Sequence, residues 1–412
     1  MYRAAIEVAF HLRHGWSRAR RPAEARGDPA LRRIYVDIST IFRQDSKTGI
    51  QRVVRALMGY LIATQGTTFR VVPVVATRKH PYRALTVQQW QENDFAAVRH
   101  ARNITPRPGD IFLGLDLSAH LLPRHDLQLR WLKSRGVTVA VLVYDLLPEQ
   151  LPDYFTRKNV RNFRRWLRWL LCHADRVLCI SAAVRTDVEA LFARAAPKGR
   201  GPAAITHIPL GGDLASTSPT RGVAAAHRAL LDRLASSRLL LMVGTVEPRK
   251  AYGVALDAME ILWADNRHHD LCLVIIGQDG WRSAALEQRL ADHPEKDKRL
   301  FRFNDISDEG LELFYARCNG VMMMSRAEGF GLPIIEALQH GKPVFARDLP
   351  VFREMSDQSG ISYFQDDSPP ALSEAIARWL ASAPAEVIWA GKESWAEAGH
   401  ALLRDLGLDD RR

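Results

Sequence analysis

Ser325-Arg-Ala-Glu-Gly-Phe-Gly-Leu-Pro-Ile-Ile-Glu336 follows the apolar run 320–324 and continues through Ala337 and Leu338. The run before it reads as a buried strand and the residues after it as a helix. Between the two, Gly329 and Gly331 let the backbone turn tightly, so that successive N–H groups can point outward near a helix N-terminus. That arrangement suits anionic or hydroxyl-rich ligands. Glu328 stands just before the turn and Glu336 in the first turns of the helix, so both carboxylates can face one cleft and accept from hydroxyl groups. A helix-capping loop with two solvated glutamates is the other reading of the same residues.

Working outward, short apolar and β-branched runs alternate with helical stretches along the whole chain, which predicts parallel α/β architecture. In the first half the strands are expected at 34–39, 69–76, 111–115, 137–144, 177–180 and 205–210. In the second half they are expected at 239–244, 271–277, 300–303, 320–325 and 343–346. The intervening helices show the helical period: in 253–263, Ala255, Leu256, Met259, Leu262 and Trp263 form one apolar face. A chain of 412 residues suits two domains. The expected division is a basic N-terminal extension (1–30), a first domain (31–215), a linker punctuated by glycine, serine and proline (216–237), a second domain (238–385) and a C-terminal crossover helix and tail (386–412). Two doubly wound sheets facing a cleft follow, with ligands expected beyond the carboxyl ends of the strands.

Composition narrows the class. Hydrophobic residues make up 47% and charged residues 25%, as in soluble globular chains. No run approaches the ~18 apolar residues of a spanning helix, and residues 1–30 lack a secretory leader's apolar stretch, so an unsecreted, cytoplasmic protein is expected. Cys172, Cys179, Cys272 and Cys318 form no C-x-x-C pair, and reduced, mostly buried thiols are expected. Residues 1–200 hold 34 Lys+Arg against 16 Asp+Glu, whereas the remainder holds 23 against 30. The first half therefore carries +18 and suits an anionic partner such as nucleic acid, phospholipid head groups or a diphosphate-bearing lipid.

Glu-Gly-Phe-Gly-Leu-Pro-Ile-Ile-Glu, from Glu328 to Glu336, resembles the signature of the large retaining family of GT-B glycosyltransferases called family four, or glycosyl transferases group 1. Ala337-Leu338, Gly341 and Pro343-Val344 fit the same pattern. The resemblance implies two Rossmann-like domains and transfer of a hexose from a nucleotide-sugar, with Glu328 catalytic and Glu336, Gly329, Phe330, Gly331 and Leu332 binding substrate. Val243-Gly-Thr-Val-Glu-Pro-Arg-Lys250 resembles the family's diphosphate-binding loop, which implies that Arg249 and Lys250 neutralise the leaving diphosphate. Many relatives carry an arginine where this chain has Thr245. In the first half, Asp37-Ile-Ser-Thr leads to Thr48-Gly-Ile-Gln-Arg-Val53, and Gly49 and Arg52 match a loop that the family places near donor phosphates and acceptor. Tyr144-Asp145 stands where many relatives have His-Asp. The sugar contact of that histidine then falls to Tyr144, Asp145 or the backbone, although Asp145 also reads as a strand-end cap.

Missing motifs matter as well. No D-x-D occurs, and Asp366-Asp367 and Asp409-Asp410 are poor metal sites. Neither metal nor cofactor is expected, and there is no Walker loop, G-x-S-x-G elbow or H-E-x-x-H. A retaining transferase of this family implies that the leaving diphosphate itself accepts the acceptor's proton. Resemblance to mannosyl- and rhamnosyltransferases of bacterial surface-polysaccharide assembly makes GDP-mannose the first donor and a glycan or lipid-linked oligosaccharide the acceptor. The helix 159–172, with arginines beside Trp166 and Trp169, reads either as a membrane-surface helix on the inner leaflet or as an ordinary domain helix. The stretch 2–16 is a second amphipathic segment. Two other functions stay open: a non-catalytic sugar-nucleotide-binding or scaffold protein on the same fold, and a nucleic-acid binder, for which the chain lacks a recognition motif.

Overall fold

The computed structural model describes residues 31–409 except 47, 198–202, 214–219, 356–358, 383, 385–386, 390 and 392–393, together with Ile6, Ala9 and Phe10. Apart from those three residues, the basic extension 1–30 and the segment 2–16 lie outside the described residues. The chain forms two compact units. One holds the chain up to Pro152, Arg157–Pro209 and the residues from Ala396 onward; the other holds Asp153–Thr156 and Leu210–Trp395.

The first unit is built on β1 (Arg32–Asp37), β2 (Phe69–Val75), β3 (Arg83–Ala84), β4 (Arg102–Asn103), β5 (Ile111–Gly114), β6 (Thr138–Val143), β7 (Arg176–Cys179) and β8 (Ala204–His207). Their order in the sheet is β4-β3-β2-β1-β5-β6-β7-β8. All pairs are parallel except β2 with β3 and β3 with β4. The second unit holds β9 (Arg238–Val243), β10 (Leu271–Ile276), β11 (Leu300–Phe303), β12 (Gly320–Met323), β13 (Val344–Arg347) and β14 (Ile361–Phe364), in the order β11-β10-β9-β12-β13-β14 and parallel throughout. Central strands such as Leu-Cys-Leu-Val-Ile-Ile of β10 are buried at every position, as expected where both sheet faces are covered. In each unit the strand order reverses once, between β1 and β5 and between β9 and β12. Loops leaving the carboxyl ends of those strand pairs border the crevice where such sheets hold ligands.

The runs expected to be strands all are, with ends shifted by a few residues at most. The strands β3, β4 and β14 were not foreseen, because two exposed or half-buried residues, or the half-buried Ile-Ser-Tyr-Phe, carry little periodic signal. Six helices matter below: α1 (Ser39–Arg43), α2 (Gly49–Thr64), α3 (Arg157–His173), α4 (Tyr252–Ala264), α5 (Leu332–Gln339) and α6 (Trp395–Asp405). Helix α4 buries Ala255, Leu256, Met259, Leu262 and Trp263, the face its period predicts. Helix α3 resolves its two readings. Val160, Phe163, Trp166, Leu167, Trp169 and Leu170 are buried in the first unit, and Trp169 Nε1 donates to Asp126 at 3.2 Å. The tryptophans are core, and only the cationic face is left to solvent.

The segment expected to be a linker belongs to the second unit where it is described. Thr220 donates through N and Oγ1 to Asp308 at 2.8 and 2.9 Å, and the Arg317 guanidinium donates to the Leu234 carbonyl. The first unit's main run thus ends at Pro209 rather than near 215, and its C-terminal portion begins at Ala396 rather than at 386. Helix α6 packs on the first unit: Thr206 Oγ1 donates to Asp405 at 2.7 Å, and His400 meets the Tyr60 ring edge-on at 5.3 Å. Cys179, Cys272 and Cys318 are buried free thiols and Cys172 is an exposed one. No helix among the described residues is long and apolar enough to cross a membrane.

Where the loops after β9 and β10 approach most closely, a Cβ on Gly277 would lie 2.0 Å from the Gly244 carbonyl oxygen. Relieving that clash means parting β9 from β10. The variant Gly277→Ala should lose about 3 kcal/mol of stability, read as a fall in the denaturation midpoint; an unchanged midpoint would show that the loops yield freely.

Candidate active site

At the strand reversal of the second unit, the loop after β9 turns through Gly244 at φ 136° and closes with the short turn Pro248–Lys250. The turn ends on Ala251 in the left-handed region (φ 55°), which starts α4. The Tyr252 hydroxyl donates to the Gly244 carbonyl at 2.7 Å and pins the turn back on its own strand. Next to it, the loop after β12 runs through Ser325 to Gly331, whose φ of 115° suits glycine and whose Cβ position lies 2.7 Å from the Phe352 ring. Gly331 caps α5; Pro333 in its first turn carries no N–H, and Ile334 N donates to the Gly331 carbonyl at 2.9 Å.

Four charged side chains join these loops. Glu328 meets Lys250 Nζ at 2.5 Å and Arg249 Nη1 at 2.9 Å, while Arg249 Nη2 meets Glu247 at 2.5 Å. Arg249 Nη1 also donates to the Ala327 carbonyl at 2.5 Å, and Arg326 N donates to the Arg249 carbonyl at 2.9 Å. The cluster is neutral, with two carboxylates and two cations. Burial pushes the Glu328 carboxyl up, but Arg249 and Lys250 outweigh it and hold the group at about 2. Glu247, the partner of one cation only and deeply buried, is pushed up by burial, with Arg249 opposing. Glu328 is therefore a permanent carboxylate, with the Lys250 and Arg249 side chains held beside it.

The structure brings together Glu328, Arg249 and Lys250, with Gly329, Phe330, Gly331 and Leu332 leading from Glu328 into α5. Glu336 departs from expectation. It is 1% exposed and accepts from the Tyr315 hydroxyl at 2.6 Å, because its place on α5 turns it toward the helix 308–317. Tyr315 in turn stacks on His340 at 5.4 Å. Glu336 is thus not one of two solvated glutamates in a capping loop, and through Tyr315 it ties α5 to the helix 308–317. Thr245 is half-buried, and the guanidinium beside this loop comes from Arg249.

The remaining predicted residues lie in the first unit. Gly49 opens α2 behind a capping box, in which the Thr48 side chain accepts from Gln51 N and Gln51 accepts from Thr48 N. Arg52 is half-buried in the first turn of that helix. Tyr144 is 3% exposed and its hydroxyl donates to the Leu115 carbonyl at 2.7 Å, so it faces inward and does not take the place of a sugar-contacting histidine. Asp145 Oδ1 accepts from Leu147 N at 3.1 Å, the strand-end cap of the alternative reading. Sequence reasoning missed Glu247 and Tyr315, although Glu247 lies within the quoted Val-Glu-Pro-Arg-Lys run. Its contact with Arg249 depends on the turn at Pro248. Among the described residues, no group of three or more His, Cys, Asp or Glu is arranged to hold a metal ion.

Residues 227–393 match the model of the family described as glycosyl transferases group 1, a span that contains every site residue of the second unit. The chain is 34% identical over 387 residues to the serotype-specific mannosyltransferase WbdA of Escherichia coli, covering 92% of this chain and 46% of that protein. It is 27% identical over 231 residues to O-antigen chain mannosyltransferase B of Escherichia coli, covering 56% of this chain and 58% of the relative. The chain thus spans about half the length of the curated relatives it matches. Among solved structures, a sucrose-phosphate synthase of Thermosynechococcus elongatus aligns with a TM-score of 0.58 at 19% identity, covering 91% of this chain and 94% of the other. Anabaena HepE, solved with UDP and glucose, aligns with a TM-score of 0.55 at 14% identity, covering 91% and 95%. These likenesses show the GT-B fold.

The depressed Glu328 carboxyl gives a pH signature. Its unfolded value near 4.5 exceeds its folded value of about 2, so its contribution is full above 4.5 and is lost as pH falls toward 2. That contribution is on the order of 3 kcal/mol. In acid titrations of stability, Glu328→Gln should flatten the slope between pH 4.5 and 2; an unaltered slope would show that the pairs carry no such linkage.

Proposed function

The chain belongs to the glycosyl transferases group 1 family, and from that premise we propose that it transfers mannose from GDP-mannose to a glycan or lipid-linked oligosaccharide of a cell-surface polysaccharide, with retention and without a metal. The observation that carries this reading is the cluster of Glu328 with Arg249 and Lys250 beside the start of α5. The relatives named as mannosyltransferases of serotype and O-antigen synthesis support the choice of sugar.

In this reading Lys250 and Arg249 take the diphosphate, helped by the positive end of the α5 dipole. Glu328, an anion at any working pH, accepts from sugar hydroxyls and balances positive charge that develops at the anomeric carbon. The bond between that carbon and the diphosphate oxygen breaks, and a new bond forms to the acceptor oxygen on the same face. The acceptor's proton passes to the departing diphosphate. Positioning and charge stabilisation then supply most of the catalysis. The cation pair, already held in place by carboxylates, needs little reorganisation as the leaving charge grows. Unlike a D-x-D site, this one offers side-chain cations where the diphosphate would otherwise share a metal.

The first unit takes the acceptor side and, with its +18, an anionic surface. On α3 the side chains of Arg157, Lys158, Arg161, Arg164, Arg165 and Arg168 are exposed along one face. Attachment to the cytoplasmic leaflet is then electrostatic, without insertion of Trp166 or Trp169.

A thermal-shift series with UDP, GDP, ADP and dTDP sugars should show its largest shift with GDP-mannose. No shift with any of them would leave a scaffold on the same fold. With the productive donor, Glu328→Ala and Lys250→Ala should each lower turnover about 100- to 1,000-fold, and unchanged turnover would remove the cluster from the chemistry. The anomeric configuration of the product decides retention. In vesicle sedimentation, binding should require anionic lipid and fall with salt, and equal partitioning onto neutral vesicles would rule out charge-driven attachment.

A further inference from the structure

In the first unit, the strand order reverses between β1 and β5, and there two carboxylates are buried together that the donor chemistry does not use. Asp37 ends β1 and Asp116 lies two residues beyond β5; they are 0% and 3% exposed. The Asp116 amide donates to the Asp37 carbonyl at 3.2 Å. Asp37 Oδ1 accepts from Ser39 N at 2.9 Å and from Ser39 Oγ at 2.5 Å, and its Oδ2 accepts from the Tyr82 hydroxyl at 2.9 Å. Asp116 Oδ2 accepts from two successive backbone amides, Thr40 and Ile41, each at 2.7 Å. Ser39 Oγ also accepts from Ala76 N at 2.9 Å, tying the cluster to the end of β2.

Placing two carboxylates out of water is costly unless hydrogen bonds offset it. Here three of the bonds come from the successive amides of residues 39–41, where the chain leaves β1, and the Ser39 and Tyr82 hydroxyls add others. Helix α1 starts there, ahead of the capping box of α2 beside Gly49 and Arg52. It borders the crevice at which sheets of this topology hold ligands.

We propose that Asp37 and Asp116 are positioning residues for the acceptor, which lock the loop from β1 into the first turn of α1 and so fix the direction in which the chain sets out toward Gly49 and Arg52. This rests on the reading that the first unit receives the acceptor. Neither residue touches the donor chemistry, and their effect is on acceptor recognition. Burial pushes the Asp116 carboxyl up to about 7, the charge of Asp37 adds to the rise, and the Ile41 and Thr40 amides oppose it. Burial also pushes Asp37 up. The other titratable groups facing the pair are the Tyr82 and Tyr144 phenols, which burial pushes well above their ordinary range, so both stay neutral. Ser39, Thr40 and Ser118 do not titrate. Around neutral pH one carboxylate of the pair gains or loses a proton, and the ionised form of Asp116 holds the two amides more strongly. Acceptor KM should therefore rise as pH falls through 7.

The test uses the full chain. Without substrates, hydrogen exchange corrected for intrinsic rates should show the Thr40 and Ile41 amides protected, with at least ten-fold less protection in Asp116→Ala; equal protection in both overturns the locked loop. In transfer assays Asp116→Asn, which keeps the shape and an accepting oxygen, should raise acceptor KM several-fold and abolish its pH dependence near 7. Donor KM and acceptor-free donor hydrolysis should stay as in the parent. Equal changes in donor and acceptor parameters, or an unaltered pH profile, overturn the positioning role. If the parent binds no nucleotide-sugar, the donor reading and the acceptor assignment fall together, while exchange still decides whether the loop is locked.

Discussion

The contact of Glu328 with Arg249 and Lys250 is the constraint on which the geometry of the second unit's loops depends. It links two loops that leave adjacent strands, β9 and β12, and are 78 residues apart in sequence. A carboxylate with so little exposure is costly to leave unpaired, and removing one member of such a pair typically costs 3–5 kcal/mol. The two loops are thus held to one geometry by charge. Arg249 supports the link through the Ala327 carbonyl, and Arg326 N returns a bond to Arg249. Since Glu247 and Glu328 balance Arg249 and Lys250, the cluster is stable without a ligand and still holds both basic side chains in place.

The two units use one topological device with different electrostatics. At the reversal in the second unit the carboxylate is paired with cations and kept ionised. At the reversal in the first unit Asp37 and Asp116 are bonded to neutral donors, and burial drives their proton affinity up. The physical difference is the partner: a guanidinium or ammonium favours the charged carboxylate, whereas amides and hydroxyls only partly offset the loss of water. One place holds a permanent anion, the other a carboxylate pair whose proton affinity burial raises.

Legibility varied with the range of the interaction. Strands such as β10 and β12 were plain because every residue in them is apolar, and α4 was plain because its buried face recurs at the helical period. The Gly-x-Gly turn before α5 was legible because glycine at φ 115° is a local requirement. By contrast, Tyr144 and Glu336 were placed by analogy at a ligand, and both are turned inward. The Tyr144 hydroxyl donates to the Leu115 carbonyl and Glu336 accepts from the Tyr315 hydroxyl, partners 29 and 21 residues away. Nothing local to either residue signals such a partner.

The sequence by itself determined the two parallel α/β units, the glycine-bearing loop before α5, the basic first half and the resemblance to the family, because these rest on short-range pattern and on motifs contiguous in the chain. Only the tertiary structure decided that Trp166 and Trp169 are core, that the expected linker is part of the second unit, and that Glu247 balances Arg249. It alone joined Asp37 to Asp116. Those outcomes turn on burial and on pairing between distant segments, and a carboxylate's behaviour is set by what surrounds it in space and not by its neighbours in the chain.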